Sequence, residues 1–381
     1  MSAPAAKAPF LPWNRPSIGK EEEAAVLGVL RSGWLTAGPN AAAFEQAVRD
    51  ALGQQDAFAV SSCTAALHLA LLAAGLRPDD EVITPSFTFC AAPNAILRSG
   101  GVPVFAEIDP ATLNLDPQAA AEAITARTRA IVVMHYGGQP CDLAAFRRLA
   151  DDHGLLLIED AAHALHAWRD GQRAGSVGDL AVFSFYANKV ITTGEGGMLV
   201  GRADLVQRAR LLGRHGIDSS VWQRHGTRST ADYEVTVPGL KYTMPDITAA
   251  IGLKQWEKLP DFTAARTAIA AAYDKALAGL PGLTLPTVLD GVEHGRFLYP
   301  VLIDPVPGRD RDRVATTLRE AGIGTSVHFQ PVHRLATYRH TPHHLPITEH
   351  TAARQLSLPC YPAMTAHDVQ RVIDALHALW S

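Results

Sequence analysis

Short apolar runs alternate with helical patterns over residues 58–200, and this alternation restricts the fold more than any other feature. Runs of strand length occur at residues 81–84, 102–108, 130–135, 155–159, 180–185 and 198–200, and helical patterns lie between them, notably at 91–99 and 143–153. Strands that alternate with helices need right-handed crossovers, which give a mostly parallel sheet with helices on both faces. The sequence therefore predicts an α/β fold.

The remainder of the chain predicts a second, smaller unit. With 381 residues, 47% of them apolar, the chain is too long for one ordinary core. Residues 246–280 have the spacing of long helices, with Pro260 at a break or a helix start. Strands at 297–303 and 325–329 and helices at 311–321 and 366–380 follow. We predict a disordered N-terminus (1–12), a large α/β domain (13–255) and a small α+β domain (256–381).

Composition argues against several classes of function. The formal net charge is −4 with both signs interspersed, so no basic surface for nucleic acid is expected. No apolar stretch reaches the length of a membrane span, and residues 1–9 lack the apolar core of a signal peptide. The cysteines have neither metal nor redox spacing, so we predict buried thiols in a reducing cytoplasm and no metal site: Cys63, Cys90, Cys141 and Cys360.

Residues 183–198 (FSFYANKVITTGEGGM) contain a lysine in a setting suited to carbonyl chemistry. An apolar strand leads into Lys189, and glycines that follow let the backbone pass close to a ligand. Burial lowers the pKa of an ammonium, and only the neutral amine attacks an aldehyde to form an imine. A surface lysine at a strand end is the alternative interpretation, and the neighbouring motifs decide between the two.

Residues 155–163 (LLLIEDAAH) predict a buried strand that ends in a carboxylate pair. In open α/β sheets the carboxyl end of a strand faces the ligand crevice. A carboxylate there can hold a protonated pyridine nitrogen, which keeps the ring electron-withdrawing. Because alternate residues of a strand face opposite sides, Glu159 points away and Asp160 is the candidate. Asp160 is otherwise interpreted as the cap of the helix or turn that follows.

Residues 60–75 (VSSCTAALHLALLAAG) predict a helix whose N-terminus is rich in small polar residues. Free backbone N–H groups and the positive end of the helix dipole can bind a phosphate there without a basic side chain. An ordinary capped core helix is the alternative. With an imine-forming lysine and a pyridinium carboxylate, the helix start supplies the missing phosphate anchor.

The ordered set of these motifs resembles the pyridoxal-phosphate (PLP) aminotransferases of fold type I, in the DegT/DnrJ/StrS family that aminates nucleotide-linked keto sugars. The resemblance covers nearly the whole chain. Besides the motifs above it includes residues 15–19 (RPSIG), 32–39 (SGWLTAGP), 84–89 (TPSFTF), 238–251 (PGLKYTMPDITAAI) and 357–362 (SLPCYP).

The resemblance implies a role for each matching residue. Lys189 forms the imine with the cofactor, Asp160 pairs with the pyridine nitrogen, and Phe89 stacks on the ring. His163 lies near the ring hydroxyl. The phosphate is expected to contact the turn and a hydroxyl from the following positions: Cys63, where many relatives have Gly, Thr64, Ala65 and Ser184.

Three further residues are assigned by resemblance to the subunit interface or the substrate. Lys241 replaces an Asn that in many relatives crosses a dimer interface to the neighbouring subunit's phosphate; a solvated loop residue is the alternative. Trp222 lies in the polar segment 214–234, which is either a substrate loop or a plain surface insertion. His328 borders the expected sugar site. If Lys241 crosses, the enzyme is a homodimer with shared active sites.

The resemblance implies transfer of an amino group from L-glutamate to a nucleotide-linked sugar, through PLP and its aminated form PMP. The segments at 188–195 and 215–218 are closest to enzymes that act on 4-keto-6-deoxyhexoses or 4-keto-pentoses, so we predict a 4-amino sugar product. A 3-keto sugar aminotransferase and a catalytically inert PLP-binding regulator are the alternatives. The sequence leaves the nucleotide, the sugar configuration and the pathway open.

Overall fold

The computed structural model describes residues 9–217 and 233–380, so Trp222 lies outside the described residues. The strands are β1 (Asp56–Val60), β2 (Glu81–Pro85), β3 (Val102–Ala106), β4 (Thr128–Met134), β5 (Leu156–Asp160), β6 (Trp168–Arg169), β7 (Gln172–Arg173), β8 (Leu180–Ser184), β9 (Gly197–Gly201), β10 (Leu283–Thr284), β11 (Val292–Glu293), β12 (Tyr299–Ile303) and β13 (Gln355–Leu358).

The helices flank these strands in the order that the alternating pattern predicts. They are α1 (Lys20–Ser32), α2 (Pro39–Leu52), α3 (Cys63–Ala74), α4 (Ala91–Arg98), α5 (Pro117–Glu122), α6 (Leu143–His153), α7 (Ala203–Leu212), α8 (Asp246–Glu257), α9 (Leu259–Leu277), α10 (Arg311–Glu320), α11 (Pro346–Arg354) and α12 (Ala366–Trp380). None of those helices is both long and apolar enough to span a membrane.

Seven strands form the central sheet in the order β1-β9-β8-β5-β4-β2-β3. The pairs β2–β3, β2–β4, β4–β5 and β5–β8 are parallel, whereas β9 pairs antiparallel with both β8 and β1. The expected α/β fold with a mostly parallel sheet is confirmed. β9 departs from the parallel pattern because the short connection after β8 returns the chain directly beside that strand.

Helices cover both faces of this sheet, as the alternation of side chains in β8 illustrates. Val182 packs into the apolar cluster that contains Leu67 of α3. Its neighbours Ala181 and Phe183 belong to the opposite cluster, which contains Phe44 of α2. Burial on both faces explains why the central strands are continuous apolar runs.

Two of the quoted sequence motifs meet at the start of α2. The Asp246 carboxylate, in the first turn of α8, accepts the backbone N–H groups of Gly38 at 2.7 Å and Ala41 at 3.0 Å. These bonds satisfy N–H groups that lack partners within a helix. Residues 32–39 and 238–251 are thereby joined across about 200 residues of sequence.

After α9 the chain builds a three-stranded antiparallel sheet in the order β10-β12-β13, packed with α9, α10 and α12 around one apolar cluster. Pro260 lies in the first turn of α9, so the interpretation as a helix start is confirmed. The strand expected at 325–329 is wrong. Only a single bridge joins Ser326 to Ser357, and the N–H of His328 donates instead to the Gln355 side chain at 2.7 Å.

Residue 11 also differs from expectation. Leu11 is buried, its N–H donates to the carbonyl of Gly322 at 2.8 Å, and its own carbonyl accepts the N–H of Gly324 at 2.7 Å. The predicted disordered terminus therefore does not extend to Leu11. The domain boundary at residue 255 stays a prediction.

Candidate active site

A cavity of about 400 Å³ opens where β4, β5 and β8 end beside the start of α3. Met134, Asp160 and Ser184, the last residues of those three strands, all line it. This is the position at which open α/β sheets bind ligands. The predicted residues that line the cavity are Cys63, Thr64, Phe89, Asp160, His163, Ser184, Lys189 and His328.

Lys189 lies in a tight turn directly after β8. Its backbone N–H donates to the Tyr186 carbonyl at 2.9 Å, and its Nζ lies 4.4 Å from the centre of the Phe297 ring. Burial lowers the pKa of Lys189 to about 8, against the opposing influence of Cys63 and Asp160. At pH 7 about one tenth of an amine with this pKa is neutral, compared with about 0.03% at the unperturbed value. Lys189 is therefore suited to carbonyl attack near neutral pH.

Asp160 ends β5 on the cavity side of the sheet. One carboxylate oxygen accepts the N–H of Ala162 at 3.1 Å, so the turn-capping interpretation is correct for that oxygen. The second oxygen is available to a ligand in the cavity that Asp160 lines. Burial raises the pKa of Asp160, and the Ala162 N–H and the Lys189 ammonium oppose this shift. A protonated ring nitrogen would strengthen the ionised form further.

Glu159 faces the other side of β5 and anchors that strand. Its carboxylate accepts the backbone N–H groups of Gly175, Val177 and Gly178 at 2.6–2.8 Å, and it lies 2.9 Å from Nε2 of His135. Burial alone would raise the pKa of Glu159, but these hydrogen bonds hold that pKa below its usual value. Sequence reasoning assigned Glu159 to the correct face but did not predict this network.

The start of α3 forms one wall of the cavity. Ser62 caps the helix, and its Oγ accepts the N–H of Ala65 at 3.1 Å. Cys63 and Thr64 line the cavity, whereas Ala65 is buried behind them with its N–H already bonded. The backbone N–H groups of the first two residues of the helix are therefore available to bind an anion. Burial, followed by repulsion from Asp160, raises the pKa of the Cys63 thiol well above its ordinary value.

Gly197 lets β9 pass directly against this helix start. A Cβ at this position would lie 2.5 Å from the backbone nitrogen of Cys63 and 2.5 Å from the carbonyl carbon of Ser62. Real Cβ atoms do not approach backbone so closely, so only glycine fits without displacement. The glycine-rich end of the lysine motif is thus required by packing beside the anion site.

Aromatic side chains contribute to the remaining walls. His163 lies 4.2 Å from the ring centre of Phe297, and it stacks at 5.8 Å on Phe329. Its Nδ1 accepts the N–H of Gly137 at 3.3 Å, which places the imidazole proton on Nε2. Burial lowers the pKa of His163 well below its ordinary value, so the ring is a neutral donor. Phe89 is 59% exposed at the cavity mouth.

His328 and Ser184 complete the predicted residues that reach the cavity. Nδ1 of His328 lies 2.9 Å from the Ser357 hydroxyl, and the ring lies 5.0 Å from that of Trp13. Burial lowers the pKa of His328 to about 3, so it too is neutral. The Ser184 hydroxyl accepts the Tyr186 N–H at 3.4 Å.

Lys241 does not line the cavity. It is exposed, and its backbone forms an isolated antiparallel β-bridge with that of Arg214. Cavity residues that sequence reasoning did not select include Tyr186, Asn188, Glu195, Phe297 and Phe329. Asn188 and Glu195 lie within the lysine motif, so their proximity to Lys189 in the sequence could have identified them as cavity residues. Phe297 and Phe329 arrive through long-range packing, which local sequence patterns do not encode.

The groups that line the cavity fit pyridoxal phosphate, without reference to any other protein. The cavity joins a lysine of lowered pKa, a buried carboxylate and the start of a helix, and aromatic rings form part of its walls. These groups match the aldehyde, the pyridine nitrogen, the phosphate and the flat ring respectively.

Comparisons with known proteins agree with this fit. The model of the DegT/DnrJ/EryC1/StrS aminotransferase family matches residues 16–377. Spore coat polysaccharide biosynthesis protein SpsC of Bacillus subtilis is 44% identical over 374 residues, which are 96% of each chain.

Two solved structures extend the comparison. DesI, crystallised in the presence of its TDP-sugar product, is 38% identical with a TM-score of 0.88 over 99% of this chain and 94% of DesI. The PMP form of the putative sugar aminotransferase Spr1654 from Streptococcus pneumoniae is 27% identical with a TM-score of 0.91, over 98% of this chain and 99% of Spr1654. The chain belongs to the DegT/DnrJ/EryC1/StrS family and is a PLP-dependent sugar aminotransferase.

Proposed function

We propose that this enzyme transfers the amino group of L-glutamate to C4 of a nucleotide-linked 4-keto sugar, either a 4-keto-6-deoxyhexose or a 4-keto-pentose. The observation that carries the proposal is the pairing of Lys189, whose pKa lies about 8, with the buried Asp160 in one cavity. The choice of C4 depends on the resemblance of segments 188–195 and 215–218 to enzymes acting at that carbon. The TDP-sugar product of DesI supports a nucleotide-linked substrate.

The proposed roles follow the geometry of the cavity walls. Lys189 holds the cofactor aldehyde and Asp160 the ring nitrogen, while the neutral His163 donates its Nε2 proton toward the ring hydroxyl. Phe89 covers the ring at the cavity mouth. Phosphate contacts are proposed for Cys63, Thr64, Ala65 and Ser184; because the Ala65 N–H is bonded to Ser62, its share is the smallest.

The proton transfers are proposed for Lys189. When bound, pyridoxal phosphate withdraws electrons from the carbon that loses or gains a proton. With a pKa of about 8, the Lys189 amine exists in both protonation states near neutral pH, so Nζ can accept a proton in one half-reaction and return it in the other. The apolar face of Phe297, 4.4 Å from Nζ, limits water at that atom.

We also propose a cytoplasmic homodimer in which Lys241 of one subunit reaches the phosphate site of the other. The four cysteines are free thiols in the structure, which supports a reducing compartment. Trp222 and His328 are proposed as sugar contacts. His328 supports this by lining the cavity as a neutral ring.

The test uses L-[¹⁵N]glutamate and a panel of UDP-, dTDP- and GDP-linked 4-keto and 3-keto sugars, with products identified by mass spectrometry and NMR. We expect ¹⁵N at C4 together with 2-oxoglutarate, and no product with Lys189→Ala. Amination at C3 alone would favour the 3-keto alternative and contradict the choice of C4. An inert regulator is not proposed, since the family is one of aminotransferases.

A further inference from the structure

A group of possible metal ligands lies outside the active-site cavity, on the segment that precedes and begins α11. His333, His343 and Glu349 place one ligand atom each within 4.8 Å of one another, and we name them the His333 cluster. His333 is buried, Glu349 is half-buried and His343 is exposed, so the cluster is reached from solvent on one side. None of the three lines the cavity of Lys189.

Both imidazoles are held by hydrogen bonds of the kind found around metal-binding histidines. Nδ1 of His333 lies 2.8 Å from the Ser86 hydroxyl, and Nδ1 of His343 lies 2.7 Å from the Thr341 carbonyl. Fixing Nδ1 leaves Nε2 as the atom that can bind a ligand. The Nε2 of His333 is already 3.2 Å from Glu349 Oε1, and the two rings lie 4.3 Å apart.

The charge state of the cluster also suits a cation. Burial lowers the pKa of His333, and hydrogen bonding to His333 lowers the pKa of Glu349. A neutral imidazole and an ionised carboxylate are the forms that bind metals. Arg334 lies 3.6 Å from the same Glu349 oxygen, so a bound ion must displace this exposed ion pair. Such exposed ion pairs contribute little to stability.

We propose that the His333 cluster binds one Zn²⁺ ion per chain through His333, His343 and Glu349, with water completing the coordination. Two imidazoles and one carboxylate are a ligand set of zinc, whereas Mg²⁺ and Ca²⁺ prefer oxygen ligands throughout. This site is distinct from the pyridoxal phosphate cavity and was not expected from the sequence, because the three ligands have no recognised spacing.

The proposed site joins the segment at 333–349 to the loop that leads to Phe89. The Ser86 hydroxyl accepts the backbone N–H of His333 at 3.1 Å, and the Ser86 carbonyl accepts the backbone N–H of Val332 at 2.9 Å. Ser86 precedes Phe89 in the same loop, and Phe89 lines the active-site cavity. Zinc therefore acts as a clamp that stabilises this loop against the C-terminal half of the chain.

The test is zinc titration of tag-free holoenzyme that has been treated with a chelator and freed of unbound cofactor. Isothermal titration with Zn²⁺ should show one site per chain and a rise in Tm. Because loss of even an indirect partner weakens metal sites by about 10–100-fold, His343→Ala should weaken binding by at least that factor. His344→Ala is the matched control, since His344 is the exposed neighbour outside the cluster.

The exposed position of His343 means that its replacement should leave folding and the cofactor spectrum unchanged. Glu349→Gln should also weaken zinc binding, and Mg²⁺ should not raise the Tm. Zinc affinity that is unchanged in His343→Ala, equal losses in His343→Ala and His344→Ala, or the absence of a stoichiometric site in the wild type would each overturn the proposal.

Discussion

Replacement of Lys189 by an uncharged side chain measures the stability that the active site gives up for reactivity. Burial lowers the pKa of Lys189 from its ordinary value of 10.5 to about 8. Each unit corresponds to about 1.4 kcal/mol, so the buried ammonium destabilises the cofactor-free protein by about 3 kcal/mol. Because the folded state has the lower pKa, this destabilisation is full below pH 8, declines between pH 8 and 10.5, and vanishes above that range.

The Lys189→Met variant should therefore be inactive yet more stable than the wild type when both lack cofactor. For a chain of this length, about 3 kcal/mol corresponds to a rise in Tm of about 4 °C at pH 7. The measurement is thermal unfolding of both cofactor-free proteins at equal protomer concentration, at pH 7 and near pH 10. We expect most of the difference to disappear at the higher pH.

Lys275→Met is the matched control, since Lys275 is an exposed lysine near the end of α9. It should change the Tm little at either pH. A Lys189→Met protein that is no more stable at pH 7, or whose gain in Tm is the same at both pH values, would show that burial of the charge does not set the pKa of Lys189.

Further substitutions test the surroundings of Lys189. Asp160→Asn should lower kcat by about 10²–10³-fold, because the carboxylate loses its charge. Since Asp160 raises the pKa of Lys189, the pH profile of cofactor binding should also shift to lower pH in this variant. An unchanged pH profile would contradict that electrostatic influence. Glu159→Gln should destabilise the fold by about 3–5 kcal/mol, measured by urea unfolding, since a buried carboxylate loses its charge among four donors. Gly197→Ala should lower the free energy of unfolding by about 1–3 kcal/mol and weaken cofactor binding. The control Gly28→Ala, whose added Cβ would meet open space, should not lower it. Equal effects of the two substitutions would be inconsistent with close packing at the start of α3. After subunit exchange, a 1:1 mixture of Lys189→Ala and Lys241→Ala proteins should regain about a quarter of wild-type activity if Lys241 crosses the interface, because about half of the dimers are mixed and one of the two sites in each is intact. No recovery would count against shared active sites.

The sequence predicted the parts of the site that lie in local motifs. The strand before Asp160, the turn of Lys189 and the helix that starts at Cys63 all occur where apolar runs and small polar residues indicated them. Parallel strands end at one edge of a sheet, so three separated motifs could be expected to converge on one cavity. Phe297 and Phe329, which enclose the site from the C-terminal half, were not predicted because they reach it only through tertiary packing, and His328 was expected there only through the family resemblance.

Local patterns also failed where side chains replace backbone pairing. Residues 325–329 have the composition of a strand, but Gln355 binds the His328 N–H and leaves a single bridge to Ser357. Conversely, β13 (Gln355–Leu358) was not predicted, because a segment of four residues with apolar side chains only at Leu356 and Leu358 is too short to identify a strand. The start of α3 is a similar case, because the Ser62 side chain accepts the Ala65 N–H that was expected to bind the phosphate.

The proposed function depends above all on a covalent bond between Lys189 and the cofactor. Borohydride reduction of the holoenzyme, followed by peptide mapping with mass spectrometry, locates that bond directly. We expect a pyridoxyl phosphate group on the peptide that contains Lys189, and none on that peptide after prior conversion to the PMP form with L-glutamate. A label on another lysine, with Lys189 unmodified, would mean that Lys189 does not hold the cofactor.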